Sequence, residues 1–234
     1  MKSAKQYTVK TAAVMLILSI GLVACSNPAP SPDWQLQAQS ASERAVKAYL
    51  KGEQGVADVE WSKAFAEVSA TGQPAAMARM ALLQCAAQTA ALEMTDCPRY
   101  QRYASGSAPA EQAYARYLAA AHSAADIALL PQAQQAVAAQ LLAENPVVHA
   151  LPQAQALSQL TAAGVALRAG AISPHAVQQA VQIASEQGWR RAVMAWLLVQ
   201  QRMAQAAGDA ASAQAIELRL RVLQENQSTS KSKK

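Results

Sequence analysis

The stretch SPHAVQQAVQIASEQGWRRAVMAWLLVQQRMAQAAGDAASAQAIELRLRVLQ, residues 173–224, decides the fold class. Ser173-Pro174 is a helix start: a hydroxyl to cap the free backbone N–H groups, then a proline whose missing N–H costs nothing in the first turn. Val177, Val181 and Ala184 follow at helical spacing, and Gly188 stands where a left-handed C-terminal cap belongs. Trp189, Val193, Trp196, Leu197 and Met203 make the inward face of the next helix. Gly208-Asp209 then closes that helix and caps another, whose stripe is Ala213, Ile216, Leu220 and Leu223. Two amphipathic helices joined by a two-residue turn form an antiparallel helical hairpin.

The same punctuation runs backwards along the chain. Asp33 is placed to cap a helix reaching about Leu50, broken by Gly52 and Gly55. Asp58 opens a second, in which Trp61, Ala64, Phe65 and Val68 share one face. Gly72-Gln73-Pro74 ends it and starts a third, running to about Met94 with Met77, Met80, Leu83 and Leu92 among its apolar residues. Ser107, Pro109 and Glu111 make a capped start for a helix carrying Tyr114, Tyr117 and Leu118, and Pro131, Pro146 and Pro152 divide the middle. With 57 Ala and 27 Gln against 9 Gly and one Phe, the composition favours helix and argues against a β-sandwich or barrel. The expectation is an all-α array of antiparallel helical hairpins over residues 33–226.

The C-terminal hairpin resembles one unit of a tetratricopeptide repeat. Gly208-Asp209 lies at the turn, Ala213 matches the small residue after it, and Leu197 falls on a large apolar position of the first helix. Gln200 and Gln201 depart from the pattern, no proline closes the unit, and no second good copy stands at a 34-residue spacing. What the resemblance implies is a short TPR-like solenoid as the regular form of the array.

The N-terminus carries an address. Lys2, Lys5 and Lys10 precede a mostly apolar run from Thr11 to Val23, which as helix reaches about 20 Å and falls short of a bilayer core of roughly 30 Å. This is the layout of a secretory signal peptide, residues 1–24. Leu22-Val23-Ala24-Cys25 resembles the lipobox of bacterial lipoproteins. The resemblance implies a diacylglyceryl group on the Cys25 sulfur, cleavage before Cys25, and acylation of the new amino group. Several acyl chains make a durable anchor where one is marginal. By the sorting rule of that family, Ser26 in place of Asp implies the outer membrane of a Gram-negative cell, the body facing the periplasm. The alternating prolines of Ser26–Pro32 then read as a short stiff tether, so that residues 25–32 stand the body off the lipid.

The formal charge of +5 comes from the ends. Three lysines lie in the signal segment, and Lys231, Lys233 and Lys234 lie in the Ser-rich stretch 227–234, read as a disordered tail. Between them 14 basic residues meet 15 acidic ones, with Arg190-Arg191 the only adjacent basic pair, so a nucleic-acid partner is excluded.

Cys85 and Cys97 remain after Cys25 is assigned to lipid. An even pair in an exported chain reads as a disulfide, here turning the segment after the third helix back along it. A zinc or redox site lacks support: there is no C-x-x-C, and no histidine lies near in sequence. No catalytic motif appears, and no metal or cofactor is implied beyond the covalent lipid. Ser228-Thr229-Ser230-Lys231 fits S-x-x-K by letters alone, and no Glu-Ser pair of the goose-lysozyme-like transglycosylases occurs. His122 and Asp126, four apart, read as a solvent-facing pair on one helix face. Trp189, Arg190, Arg191 and Trp196 are the candidate partner-binding residues, since Trp and Arg are enriched at interface hot spots; the plainer reading is two core tryptophans beside a solvated arginine pair.

Address and fold together point to a non-catalytic adaptor or assembly factor for an envelope complex, with a groove between hairpins taking a peptide or partner helix. The alternatives are a periplasmic cell-wall enzyme with an unrecognised site, or a purely structural envelope lipoprotein.

Overall fold

Helices begin where the proline tether stops. In the computed structural model, which describes residues 31–231 (side chains to 225), the order is α1 Asp33–Lys51, α2 Gln54–Ser69, α3 Pro74–Ala90, α4 Pro98–Gln101, α5 Pro109–Leu118, α6 Ala124–Ile127, α7 Gln132–Leu141, α8 Ala156–Arg168, α9 Pro174–Glu186, α10 Arg190–Ala206 and α11 Ala210–Lys231. The described body is all-α. Its one β-type feature among the described residues is an isolated parallel bridge, Val148 to Ile172. The signal segment, Cys25 and nearly all of the tether lie outside the described residues.

Several helix boundaries differ from those expected. Pro32, with φ −56° and ψ 145°, is the N-cap of α1, and its carbonyl accepts from the N–H groups of Gln35 and Leu36. Asp33 is therefore the first helical residue, where its charge still favours the helix dipole. Gly52 takes the left-handed conformation (φ 83°) and alone makes the break. The next helix opens at Gln54, with Gly55 and Asp58 inside it, because one left-handed residue is enough to reverse the chain into a tight α1–α2 hairpin. The third helix ends at Ala90 rather than near Met94. Leu92 is left-handed (φ 61°), the Glu93 N–H bonds the Gln88 carbonyl at 2.9 Å, and the Leu92 N–H bonds that of Thr89 at 3.0 Å. That is a Schellman closure made with leucine in place of glycine. It turns the chain so that Cys97 meets Cys85 in a disulfide, with Cα atoms 5.5 Å apart. Helix α11 runs on through 227–231, expected as tail. No Gly or Pro interrupts it there, and extending an existing helix costs far less than starting one.

The C-terminal stretch follows its local signals. Ser173 Oγ accepts from the Ala176 N–H at 3.1 Å, Gly188 and Gly208 are left-handed, and Asp209 Oδ1 accepts from the Ser212 N–H at 3.0 Å. Val177, Val181, Ala184, Val193, Trp196, Leu197, Ile216 and Leu220 are all buried.

The centre is built differently. Helix α8 buries Leu160 to Ala166 without a break, so it is enclosed on every side. It packs on α3, whose buried face is Ala78, Ala81, Leu82, Cys85, Ala86 and Ala90 with Thr89. At the crossing a Cβ on Gly164 would lie 2.4 Å from the Thr89 carbonyl oxygen, so only glycine fits. Thr161 Oγ1 reaches the Ala86 carbonyl at 3.3 Å, and Trp196 of α10 donates to the Ala90 carbonyl at 3.0 Å, joining the C-terminal helices to α3. Regular hairpins thus stand at both ends, around an irregular middle of short helices.

A candidate partner-binding cleft

Helix α3 touches α1, α5 and α8 and forms the floor between them. Small residues on its buried side let α8 come close, and the helices around it leave a cleft of about 870 Å³ along it, which Leu82 and Ala86 also line. Trp34, Gln35, Ala38, Gln39 and Ser42 of α1 make one wall, and Ala76, Arg79, Met80 and Leu83 of α3 the floor. Ala110, Glu111 and Tyr114 come from α5, and Leu157, Ser158 and Thr161 from α8. Leu83, Gln155 and Leu157 also line an adjoining cleft of about 520 Å³, with Glu43, Val46 and Lys47 of α1. Along α1 the two span residues 34–47, about 20 Å of helix, the length of three to four helical turns.

The larger cleft is mostly apolar, and its charges are satisfied internally. Arg79 donates to Glu111 Oε1 at 2.9 Å, while Glu111 Oε2 accepts from the Ala108 N–H at 3.1 Å and so caps α5. Glu111 is buried and has both oxygens engaged. Tyr114 stacks on Tyr117 with centroids 6.1 Å apart, and burial pushes its phenol pKa up. Tyr117 donates to Gln134 Oε1 at 2.8 Å, and Gln134 donates to the Ser158 carbonyl at 3.1 Å, which ties the α5 and α8 walls together.

His122 and Asp126 do not form the solvent-facing pair expected of them. Helix α5 has already ended at Leu118, and both side chains are buried. His122 Nε2 donates to the Ala138 carbonyl at 2.9 Å, and the ring meets Tyr117 edge-on at 5.4 Å. Asp126 instead accepts from Arg116 Nε and Nη2 and from the Ser123 N–H at 2.9 Å, capping α6. Those bonds, Arg116 first, hold its carboxyl well below the usual range.

The Trp and Arg group is a structural crossing. Trp196 is wholly enclosed, whereas Trp189, 8% exposed, borders the adjoining cleft of about 520 Å³ beside Glu186 and Gln187. Arg191 lies 4.1 Å over the Tyr49 ring and donates to Gln54 Oε1 at 2.7 Å, fastening α10 to the α1–α2 turn. Arg190 packs close to Gly52 in the same turn. Tyr49 also donates to Glu93, and burial, then that carboxylate, raises its pKa.

Among the described residues no group of three or more His, Cys, Asp or Glu is placed to hold a metal ion. No helix among them is long and apolar enough to cross a membrane. Glu111 as a cap and Met80, Leu83 and Tyr114 as apolar positions are legible in the sequence, but their meeting on one surface is not. Their stripes read as core, and α8, which completes the surface, was not resolved. No family model, no curated protein and no solved structure matches the chain.

Proposed function

We propose that this chain is a bacterial outer-membrane lipoprotein, anchored through acyl chains on Cys25, whose body acts in the periplasm as a non-catalytic adaptor or assembly factor. The cleft over α3 carries this reading: it is long, largely apolar, and lined by charges already satisfied by the protein itself. Its neutral edge of Gln35, Gln39, Gln73 and Gln155 suits a partner segment with an apolar face and uncharged polar shoulders. The Cys85–Cys97 bond accords with an oxidising compartment, and the lipobox-like Leu22–Cys25 accords with an anchor.

The test is affinity purification of the lipidated protein from crosslinked cells, comparing the natural chain with Ala76→Trp. Ala76 is half-buried in the cleft lining, so an indole there fills the cleft while the fold persists. The expected result is one stoichiometric envelope complex with the natural chain, lost in a variant of unchanged melting temperature. Equal recovery by both, or no complex with either, refutes the proposal.

A further inference from the structure

Two walls and the floor of the cleft are fastened at one place, the loop 91–97 that follows α3. Tyr49, two residues past the cleft-lining Lys47 of α1, donates from its hydroxyl to the Glu93 carboxylate. Arg168, at the end of α8, donates to the Thr95 carbonyl at 3.1 Å and to Asp96 Oδ1 at 3.1 Å. Asp96 is almost fully exposed, so the Thr95 carbonyl is the firmer half of that tie. Cys97 is bonded to Cys85 of α3, whose neighbours Leu82 and Ala86 line the cleft. In all three helices the cleft-lining residues come before the loop is reached: 34–47 before Tyr49, 76–86 before the loop itself, and 157–161 before Arg168. The loop is a clasp at one end of the walls.

Little besides the sulfur bond holds this clasp. Between Ala91 and Tyr100 the one buried residue is Cys97, while Glu93, Met94 and Asp96 are exposed. Leu92 (φ 61°) and Cys97 (φ 51°) are both left-handed, a conformation that is costly for a residue with a side chain and persists only where the surroundings enforce it. At Leu92 the closure of α3 enforces it. At Cys97 the bond to Cys85 does, since the Cys97 N–H reaches only the Thr95 hydroxyl, at 3.4 Å.

We infer that the Cys85–Cys97 bond is a redox lock on the cleft. Oxidised, it holds the clasp, and through it the α1 and α8 walls, to the α3 floor. A dithiol opens it. One thiolate attacks Cys97, the more accessible sulfur at 8% exposure against 2%, and expels the Cys85 thiolate; the second thiol then releases Cys97 by closing the reductant's own disulfide. Two electrons and two protons pass to the protein, which is left with two thiols. Cys97 relaxes out of the left-handed region, Thr95 and Asp96 move with it, and both walls lose their ties in one event. The effect on a partner rests on the cleft being the binding site; the coupling of the bond to the walls does not.

The test is amide hydrogen exchange on the full chain in detergent, oxidised, treated with excess dithiothreitol, and as the double variant Cys85→Ala with Cys97→Ala. In the reduced chain and the double variant, residues 34–47 and 156–161 should accelerate at least about tenfold more than residues 177–184 of α9. With the bond intact, Tyr49→Phe should loosen 34–47 alone and Arg168→Ala 156–161 alone, a division that a global loss of stability would not produce. Equal acceleration in all three segments, no acceleration, or a bond that dithiothreitol leaves intact in the folded chain overturns the inference. In cells, a photocrosslink from Ala76 should fall about fivefold in the double cysteine variant at equal protein level, and an unchanged yield also overturns it. A natural chain that gives no crosslink refutes the adaptor reading instead, and the exchange rates then decide the lock by themselves.

Discussion

The C-terminal helices α9–α11 and the α3–α8 pair bury similar kinds of residue by opposite means. In the first, each helix has a stripe of valine, leucine, isoleucine or tryptophan, and its ends are marked by Ser173, Gly188, Gly208 and Asp209. In the second, small residues outnumber the large ones (Leu82, Leu160 and Val165), and one contact depends on the absence of a side chain at Gly164. Stripes and caps act over four residues and can be read from any short window. Close packing of small residues depends on which distant segment arrives, and no local pattern records it. The difference bears on function, because α3 and α8 help build the cleft.

The sharpest way to break the comparison is to give the two regions the same insult at a glycine. Gly164→Ala should cost about 3 kcal/mol, because the new Cβ meets the Thr89 backbone, which cannot move without shifting α3 against α8. Urea unfolding measures it, and a loss under about 1 kcal/mol would show that the crossing yields. Gly208→Ala has open space around its Cβ and pays only for a left-handed residue, about 1 kcal/mol. Between these lies the disulfide at the end of α3. Reduction should cost roughly 2–3 kcal/mol, and two thiols that alkylate readily in the native protein would refute the bond.

The smallest effect is electrostatic. The Asp126 carboxyl is held low by Arg116 and the Ser123 N–H, so its contribution to stability is complete above the unfolded value of about 4 and is lost as pH falls through the lower folded one. Melting temperature should therefore fall more steeply below about pH 4 in the natural chain than in Asp126→Asn. Parallel curves would mean that the Arg116 contact contributes little.

What the sequence made legible follows the same division. The C-terminal stripes, the Ser173 and Asp209 caps and the Cys85–Cys97 pairing were all readable, because each is a local pattern or an even count of cysteines. Helix α8 was not, since a segment apolar on all sides has no period, and Gly164 at its centre looks like a break. His122 and Asp126 were misplaced for a related reason: four-residue spacing means a shared face only where the helix continues, and α5 stops at Leu118. Trp189 and Trp196 share the composition of a hot spot, and only the fold separates them, enclosing Trp196 and leaving Trp189 at the edge of a cleft. The residues of the cleft were not legible, because four helices from distant parts of the chain contribute to it.

The most direct test of the central claim places a photoreactive residue in living cells at Ala76 or Ala110, in the cleft, and at Val59, exposed on α2. One and the same envelope protein should crosslink from both cleft positions and not from Val59. Crosslinks that are equally abundant from all three positions, or absent from the cleft, would contradict it.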